Sequence, residues 1–307
     1  MSYPLSGAAV PAMPVWTGKL IPTLWSKKLL ERFYDATVFG EISQTDYQGE
    51  IRNQGDKVTI NKIPDITINA YEAGQPLVYQ RPPADTIDLL IDKGFYWAFQ
   101  MEDVMDVQAA IDMMGPWADN ASERLKIAVD TDVLAYMLGK AAAANRGATA
   151  GAKSGNINLG VTGTPVALSK TNVLDYIVDL GQVLDEQNIP ESGRKLVIPT
   201  WMASLIKKSD LKDASITGDG VSVLRNGRLG TIDRFAIYSS NLLPSPAAGE
   251  SAVYACIPAA NTFAAQLTKT EQLRAESTFG DLMRGLMVYG REVVLPNALA
   301  QGVVSKA

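Results

Sequence analysis

The feature that most restricts the fold of this chain is a pair of runs of alternating apolar and polar residues. About twenty polar and proline-rich residues separate the two runs. The first run, near residues 56–63, places Val58 and Ile60 on one side, and the second begins at Thr86. Alternation with one polar face predicts two antiparallel β-strands. Because a two-stranded ribbon alone rarely buries enough apolar surface to be stable in water, we expect something outside this subunit to cover it.

The second run predicts the return strand of an extended β-hairpin, near residues 85–99. Its residues divide into an apolar face and an acidic face, namely Ile87, Leu89 and Ile91 against Asp88 and Asp92. The strand ends in the aromatic sequence FYWAF. The whole hairpin, with its long tip, is predicted to occupy about residues 46–100.

The composition limits the kinds of molecule that this protein could bind. The 307 residues are 47% hydrophobic and 20% charged, which is ordinary for a folded protein of one large or two modest domains. Lys and Arg total 28 against 33 acidic residues, so the net charge is −5. This balance argues against a nucleic-acid clamp, whose affinity comes from clustered Lys and Arg.

The chain contains no histidine and one cysteine, Cys256. Without imidazole there is no Ser-His-Asp triad, Cys-His pair or histidine zinc site, which removes most hydrolase mechanisms. Cys256 lies in the apolar sequence AVYACIP, which predicts a small buried side chain rather than a nucleophile. We expect no metal and no cofactor.

The first residues predict an extended arm that lies on another surface, because prolines prevent a helix and the segment is too apolar for a disordered tail. Its prolines and the apolar residues between them are Pro4, Pro11, Pro14 and Pro22, and Val10, Met13, Val15 and Trp16. A short helix is predicted over residues 24–33, with Leu29, Leu30 and Phe33 in one stripe. With no signal peptide and no apolar run of about 18 residues, the protein is expected to remain in the cytoplasm.

A long helix is predicted over about residues 102–144, with a kink or restart at Gly115-Pro116. At about 1.5 Å per residue it would span on the order of 60 Å, longer than a core of this size needs. Four of its acidic residues are expected on solvated faces: Asp103, Asp106, Asp130 and Asp132.

Residues 145–168 are rich in Gly, Ala, Thr and Ser and predict a flexible loop or a weak hairpin. From Ser169, a candidate N-cap, the pattern becomes α/β. The predicted helices and buried strands are SKTNVLDYIVDLGQVLDEQ, RKLVIP, TWMASLIKKSDL, IDRFAIYSSNLL and AVYACIP. Two final segments, FAAQLTKTEQLRAES and LMRGLMVYGREVVLPNALA, predict strands that return to the long helix.

This order of parts resembles the major capsid proteins of tailed bacteriophages, the Hong Kong 97 type of shell protein. The resemblance covers nearly the whole chain and is carried by IPTLWSKKLLERF (21–33), GEIRNQGDKVTI (49–60), LLIDKGFYWAFQMEDVMDVQ (89–108), ASERLKIAVDTDVLAYM (121–137) and GRKLVIPTWMASLIKKSD (193–210). It implies an α+β, Hong Kong 97-like capsid fold.

The resemblance also implies how the chain is divided. The divisions are an N-terminal arm and short helix (1–33), an extended loop with flanking peripheral-domain segments (34–100), a peripheral-domain spine helix and following loop (101–168), an α/β axial domain (169–262), and returning peripheral-domain strands with the C-terminus (263–307).

In this family the extended loop lies across a neighbouring subunit, the arm reaches an adjacent one, and the axial domain surrounds fivefold and sixfold axes. The resemblance therefore implies a non-enzymatic structural protein that assembles as hexamers and pentamers into an icosahedral head around double-stranded DNA. Inter-subunit contacts are expected at Val10, Met13, Val15, Trp16, Val58, Ile60, Tyr71, Tyr79 and Arg81.

Further partners are implied by the same resemblance: a portal, scaffolding or decoration proteins, and packaged DNA that is contacted weakly and non-specifically, with no membrane. The protein is expected in the virion, assembled in the cytoplasm of a host bacterium. Because the arm begins almost at Met1, a separate scaffolding protein or none is expected. Some relatives crosslink a loop lysine to an asparagine, and Lys57, Lys62 and Asn297 could take these parts, although nothing in the residues requires it.

Two other functions stay open at this point. An encapsulin-like nanocompartment shell would share the fold but hold an enzyme cargo, and neighbouring genes would distinguish it. A soluble α/β enzyme using Lys or Asp chemistry would elute from a gel-filtration column as a small oligomer.

Overall fold

The computed structural model describes residues 37–46, 57–64, 66–70, 72–76, 79–82, 85–103, 114–209 and 231–307. Its helices are α1 (Phe39–Ile42), α2 (Met114–Met137), α3 (Val173–Glu186) and α4 (Thr200–Lys208). Its strands are β1 (Lys57–Lys62), β2 (Asp85–Leu90), β3 (Lys93–Glu102), β4 (Val166–Leu168), β5 (Arg194–Pro199), β6 (Thr231–Ile232), β7 (Phe235–Ser240), β8 (Glu250–Cys256), β9 (Asn261–Arg274), β10 (Gly280–Val293) and β11 (Leu299–Lys306). Short 3₁₀ turns occur at Ala143–Asn145, Pro258–Ala260 and Pro296–Ala298. Among the helices in these ranges, none has the length and apolar character needed to cross a membrane.

The strands form three sheets. β1 and β2 pair antiparallel, and we call this pair, together with residues 63–82 between its strands, the ribbon. β10 lies between β3 and β9 in an antiparallel three-stranded sheet. The third sheet has the order β4-β11-β8-β5-β7-β6, in which the β4–β11 and β5–β7 pairs are parallel.

The six-stranded sheet is covered on both faces, and with α3 and α4 we call it the α/β block. In β5, Leu196 and Ile198 belong to the core on the side of α3 and α4, whereas Val197 belongs to the core on the side of α2. β8 divides in the same way, with Val253 on the first side and Tyr254 on the second. Strands that are dry on both faces need apolar residues at successive positions, which is why RKLVIP and AVYACIP lack polar alternation.

The C-terminal strand, β11, lies inside the six-stranded sheet between β4 and β8. The sequence predicts that residues 263–307 return together to the long helix, and β11 departs from that expectation. Ala300 and Val304 pack on the α3 side of the sheet, and Leu299 packs on the α2 side. A strand with apolar residues on both faces is stable in the interior of a sheet that is covered twice.

Helix α2 connects the three-stranded sheet to the α/β block. Its second half buries Val129, Val133 and Leu134 completely in a core shared with Tyr254 of the block and Tyr289 of the three-stranded sheet. The Tyr254 hydroxyl donates a 2.9 Å hydrogen bond to the Leu134 carbonyl. The helix thus fixes the two sheets to each other.

The predicted C-terminal limit of this helix is wrong, whereas its predicted start near residue 102 lies beside residues that the structure does not describe. Strand β3 continues through Glu102, and residues 104–113 lie outside the described residues. The described helix has Pro116 in its first turn, where the missing proline N–H requires no partner. It ends at Met137, before Gly139, whose φ of 79° is a left-handed conformation that favours glycine and stops a helix. Its 24 residues span about 36 Å.

The Gly- and Ala-rich segment 145–168 is folded against the α/β block rather than flexible. A bridge between Ala150 and Ile157 turns the chain back on itself, as a weak hairpin would. Ile157 and Leu159 are buried in the core beside α3. The α3 helix itself begins after Asn172, not at Ser169, and the Asn172 side chain makes no capping bond.

The single return strand predicted near residues 85–99 is observed as two separate strands, β2 and β3. β2 ends at Leu90, and β3 begins at Lys93 and pairs with β10 instead of β1. At this break the Leu90 carbonyl comes so close to Gly290 that a Cβ at position 290 would overlap it. The absence of a side chain at Gly290 therefore lets the ribbon start directly on the three-stranded sheet.

Candidate assembly surfaces

The base of the ribbon is covered by the chain itself. Ile60, Leu89 and Ile91 form a small core with Ala264 of β9 and Val294, which follows β10. The alternation predicted for both ribbon strands is confirmed, because these side chains point to the body and the intervening ones are exposed. The base is therefore an ordinary part of the subunit.

The ribbon tip, residues 63–82, extends past the last ladder pair, Lys62–Asp85. Its described large apolar side chains are exposed, at 95% for Ile63, 64% for Ile66, 89% for Ile68 and 85% for Tyr79. Clustered exposed apolar groups on a projecting segment are typical of an interaction site rather than of a free surface. The tip thus presents apolar area that the described part of its own chain leaves uncovered.

Side chains, not a ladder, join the two limbs of the tip. The Gln80 side chain accepts a hydrogen bond from the Thr67 N–H (3.1 Å) and donates one to the Thr67 carbonyl (3.0 Å). Closer to the base, Asp88 accepts from Thr59 (2.8 Å) and Lys57 (3.1 Å), and these two bonds lower the pKa of its carboxyl. Such exposed polar pairs fix geometry and add little stability.

The structure places only part of the predicted contact set. Val10, Met13, Val15, Trp16 and Tyr71 lie outside the described residues. Tyr79 and Arg81 are exposed on the tip, and Val58 is half-buried at the base. Ile60 is 8% exposed within the subunit, so little of its side chain is left for a neighbour to contact.

An apolar groove lies beneath the first half of α2, and we call it the α2 groove. One part, about 550 Å³, lies between α2 and β3, and a second, about 590 Å³, lies between α1, α2 and β10. Its aromatic residues are Phe95, Trp97, Phe99 and Trp117. Trp97 and Leu125 line both parts, and Trp97 packs where a Cβ at Gly285 would overlap the indole. The alternation of aromatic residues in FYWAF was the sequence signal for this groove, which our sequence analysis did not identify.

Asp130 was expected on a solvated helix face, and this prediction is wrong. Its carboxylate is buried and accepts hydrogen bonds from the Val38 N–H (3.2 Å) and the Phe39 N–H (2.8 Å), at the start of α1. Burial, opposed by those two bonds, raises the pKa of the Asp130 carboxyl to about 6. Asp130 thereby attaches the segment at residues 37–46 to α2.

Asp132 also has partners within the chain. It accepts hydrogen bonds from the Tyr289 hydroxyl (2.6 Å) and from the Arg291 guanidinium (2.5 and 2.6 Å). The same guanidinium lies over the ring of Tyr136, with 4.2 Å between its carbon and the ring centroid. These contacts hold α2 against β10.

The described residues offer little for catalysis. Among them, no three His, Cys, Asp or Glu side chains are grouped so that they could hold a metal ion. Cys256 is buried, as predicted, and burial raises the pKa of its thiol to about 12. A thiol with that pKa is not a nucleophile at neutral pH.

The comparisons with known proteins agree on the kind of protein that this chain resembles. The model of a family described as "Phage capsid protein" matches residues 86–301. No curated protein sequence matches the chain significantly.

Solved structures match over almost the whole chain. A chain from Mycobacterium phage Che8 is 26% identical, with 92% of this chain and 97% of that chain covered and a TM-score of 0.76. The capsid structure of the cyanophage P-SCSP1u is 17% identical, with 94% of both chains covered and a TM-score of 0.71. The capsid of a native GTA particle is 16% identical, with 94% and 96% covered and a TM-score of 0.68. The Hong Kong 97-like α+β fold predicted from the sequence is confirmed.

Proposed function

This chain belongs to the phage capsid protein family, and from that premise we propose how its surfaces build a shell. The protein is a major capsid protein, the structural subunit of an icosahedral phage head. Its family and its structural matches support this role rather than the encapsulin-like compartment or the soluble α/β enzyme. Subunits associate as hexamers and pentamers, and one of the similar capsids was computed with C5 symmetry.

The exposed ribbon tip carries the proposal. Four large apolar side chains project from a segment that the described part of its own subunit leaves uncovered. Burying one such side chain contributes about 1.5–3 kcal/mol, so the tip is suited to a neighbour's surface. The ribbon of one subunit therefore lies on the next, with Tyr79 and Arg81 in the contact.

One face of the three-stranded sheet is a suitable receiver. By the strand register Tyr96, Leu273 and Leu286 share this face of the sheet, and all three are exposed. Tyr96 is opposite Leu286 in the β3–β10 register, so the two form one apolar patch. Beside it, Arg284 donates a 2.9 Å hydrogen bond to Glu271, which gives the patch a charged border.

The remaining expectations follow the same premise. The α/β block serves as the axial domain around fivefold and sixfold axes, and the three-stranded sheet with α2 serves as the peripheral domain. The shell encloses double-stranded DNA that it contacts weakly, since the net charge of −5 provides no strong phosphate clamp. The subunit reaches the virion after assembly in the host cytoplasm, with a portal and scaffolding or decoration proteins as further partners.

Electron microscopy of the purified full-length protein tests the proposal. We expect closed shells, and a tip variant carrying Ile63→Ser, Ile68→Ser and Tyr79→Ser should give free subunits of unchanged melting temperature. A matched variant, Glu72→Ser with Gln75→Ser, changes exposed polar tip residues and should still form shells.

Two outcomes would contradict the assembly. Normal shells from the apolar tip variant would show that the ribbon contributes nothing to contacts between subunits. Failure of the unaltered protein to form shells under any condition, with scaffold or without, would remove the shell function itself.

A further inference from the structure

The α2 groove is an apolar surface that the described residues leave unfilled, and the described chain begins at its edge. Thr37, the first described residue, lines the second part of the groove with Phe39 and Gly40. The thirty-six residues before it therefore join the body at the mouth of this groove. Residues 34–36 can span at most about 11 Å, so whatever precedes them starts close to the groove.

The sequence just upstream has an apolar stripe suited to the apolar floor of the groove. Residues 24–33 have the pattern of a short helix with Leu29, Leu30 and Phe33 in one stripe, about 15 Å long at 1.5 Å per residue. The floor of the groove is aromatic and aliphatic, whereas Arg124 and Lys126 stand at its polar margin. An amphipathic helix that places its apolar stripe in such a groove is a recurring mode of protein recognition.

We propose that residues 24–33 dock as a helix in the α2 groove of their own subunit, with the Leu29, Leu30 and Phe33 stripe against Trp97 and Leu125. The short connection favours the groove of the same chain, because three linking residues give a high effective concentration. Docking would cover the half-buried aromatic residues and fix the point from which residues 1–23 leave towards a neighbour.

This inference goes beyond the shell function, since docking can hold in a subunit that never assembles. Two paired cysteines can detect it cleanly, because Cys256 is buried and unreactive. We would combine Phe33→Cys with Ser122→Cys, which lies on α2 at the groove, and treat the dilute protein with a short bismaleimide. The control carries the same two cysteines together with Leu29→Ser and Leu30→Ser, which removes most of the apolar stripe but keeps the short connection to Thr37.

We expect the internal crosslink to form at least about tenfold faster in the first protein than in the control, because docking holds the two cysteines together. Crosslinked dimers from the first protein would place the segment on a neighbour and overturn docking within one subunit. Equal crosslinking of both proteins would mean that the segment has no fixed site, which also overturns the proposal.

Hydrogen exchange of the full-length chain gives a second test that does not need the crosslink. Replacing Leu29, Leu30 and Phe33 with Ser should speed exchange in β3 and in the first half of α2 by about tenfold or more. A matched variant with Ser at Lys27, Lys28 and Arg32 should leave exchange there unchanged. Equal exchange in both variants would show that the groove is empty or filled by something else.

Discussion

The α/β block and the ribbon solve the same problem, that of covering apolar side chains, in opposite ways. In the block, each central strand is dry on both faces, and Leu196, Val197 and Ile198 are all fully buried. In the ribbon, only the base is covered, and Ile63 and Ile68 of the tip are almost fully exposed. The block therefore stabilises the subunit, whereas the tip is the region for which we proposed a role in contacts between subunits.

The polar interactions of the two regions also differ in burial. Arg194 in the block is fully buried and donates hydrogen bonds to the carbonyls of Pro190 (2.9 Å) and Ile189 (2.6 Å). The ribbon pairs, such as Lys62–Asp85 at 3.1 Å, are exposed to solvent. Removing a buried polar group leaves its hydrogen-bond partners unsatisfied, whereas water can take the place of an exposed hydrogen-bond partner. Each region thus predicts a different kind of defect when it is altered.

The largest effect should come from shortening the ribbon. Because Lys62 and Asp85 are paired, replacing residues 63–84 with Asn-Gly closes the ladder as a two-residue hairpin. We expect closed shells to disappear while the melting temperature of the subunit changes by no more than about 2 °C. Electron microscopy and thermal unfolding measure the two results, and an unfolded subunit would show that the tip belongs to the core after all.

A buried arginine of the block comes next. Arg194→Met should lower the free energy of unfolding by about 3 kcal/mol, because several carbonyls and Asp185 lose their partner. Arg284→Met, which breaks an exposed pair with Glu271, should leave the stability of the subunit unchanged. Denaturant titration in the short-ribbon background compares the two, and equal losses would erase the contrast between buried and exposed pairs.

A close approach in the block allows a smaller test. A Cβ at Gly302 would overlap the hydroxyl of Tyr176, which donates a 3.1 Å hydrogen bond to the Leu159 carbonyl. Gly302→Ala should therefore lower the free energy of unfolding by about 1–3 kcal/mol. The matched control is Gly94→Ala in β3, because a Cβ at position 94 would make only ordinary van der Waals contacts. A tolerated alanine at position 302 would mean that the block is less tightly packed than described.

The last test concerns Asp130, which joins the segment at residues 37–46 to α2. Since the pKa of its carboxyl is raised to about 6 from 3.8, its titration favours the folded state at low pH. This contribution is complete below about pH 4 and is lost as the pH rises through about 6. The difference in stability between the wild type and Asp130→Asn should change only in that window, and a constant difference from pH 3 to pH 8 would contradict the assignment.

The sequence predicted individual strands better than it predicted which strands pair with each other. The outgoing ribbon strand, expected at residues 56–63, is observed at Lys57–Lys62, and RKLVIP is the strand Arg194–Pro199. Both have a clear periodicity or a continuous apolar run that local residues alone determine. The fold class followed from the order of such segments.

What local patterns could not reveal were pairings over long distances along the chain. Whether β3 continues the ribbon or joins β10 depends on Gly290, about two hundred residues away. Asp130 and Asp132 resemble exposed helix residues until Val38 and Arg291 are placed beside them. The α2 groove likewise requires β3, α2 and β10 together.

The interior position of β11 also determines when this subunit can finish folding. β11 is synthesised after the other described strands, yet it lies inside the sheet, between the edge strand β4 and β8. On the ribosome, a nascent chain emerges from its N-terminus, so the ribbon is exposed well before the block can close. Without residues 299–306, β4 and β8 would have no strand between them, so we expect the α/β block to stay unfinished until β11 is in place.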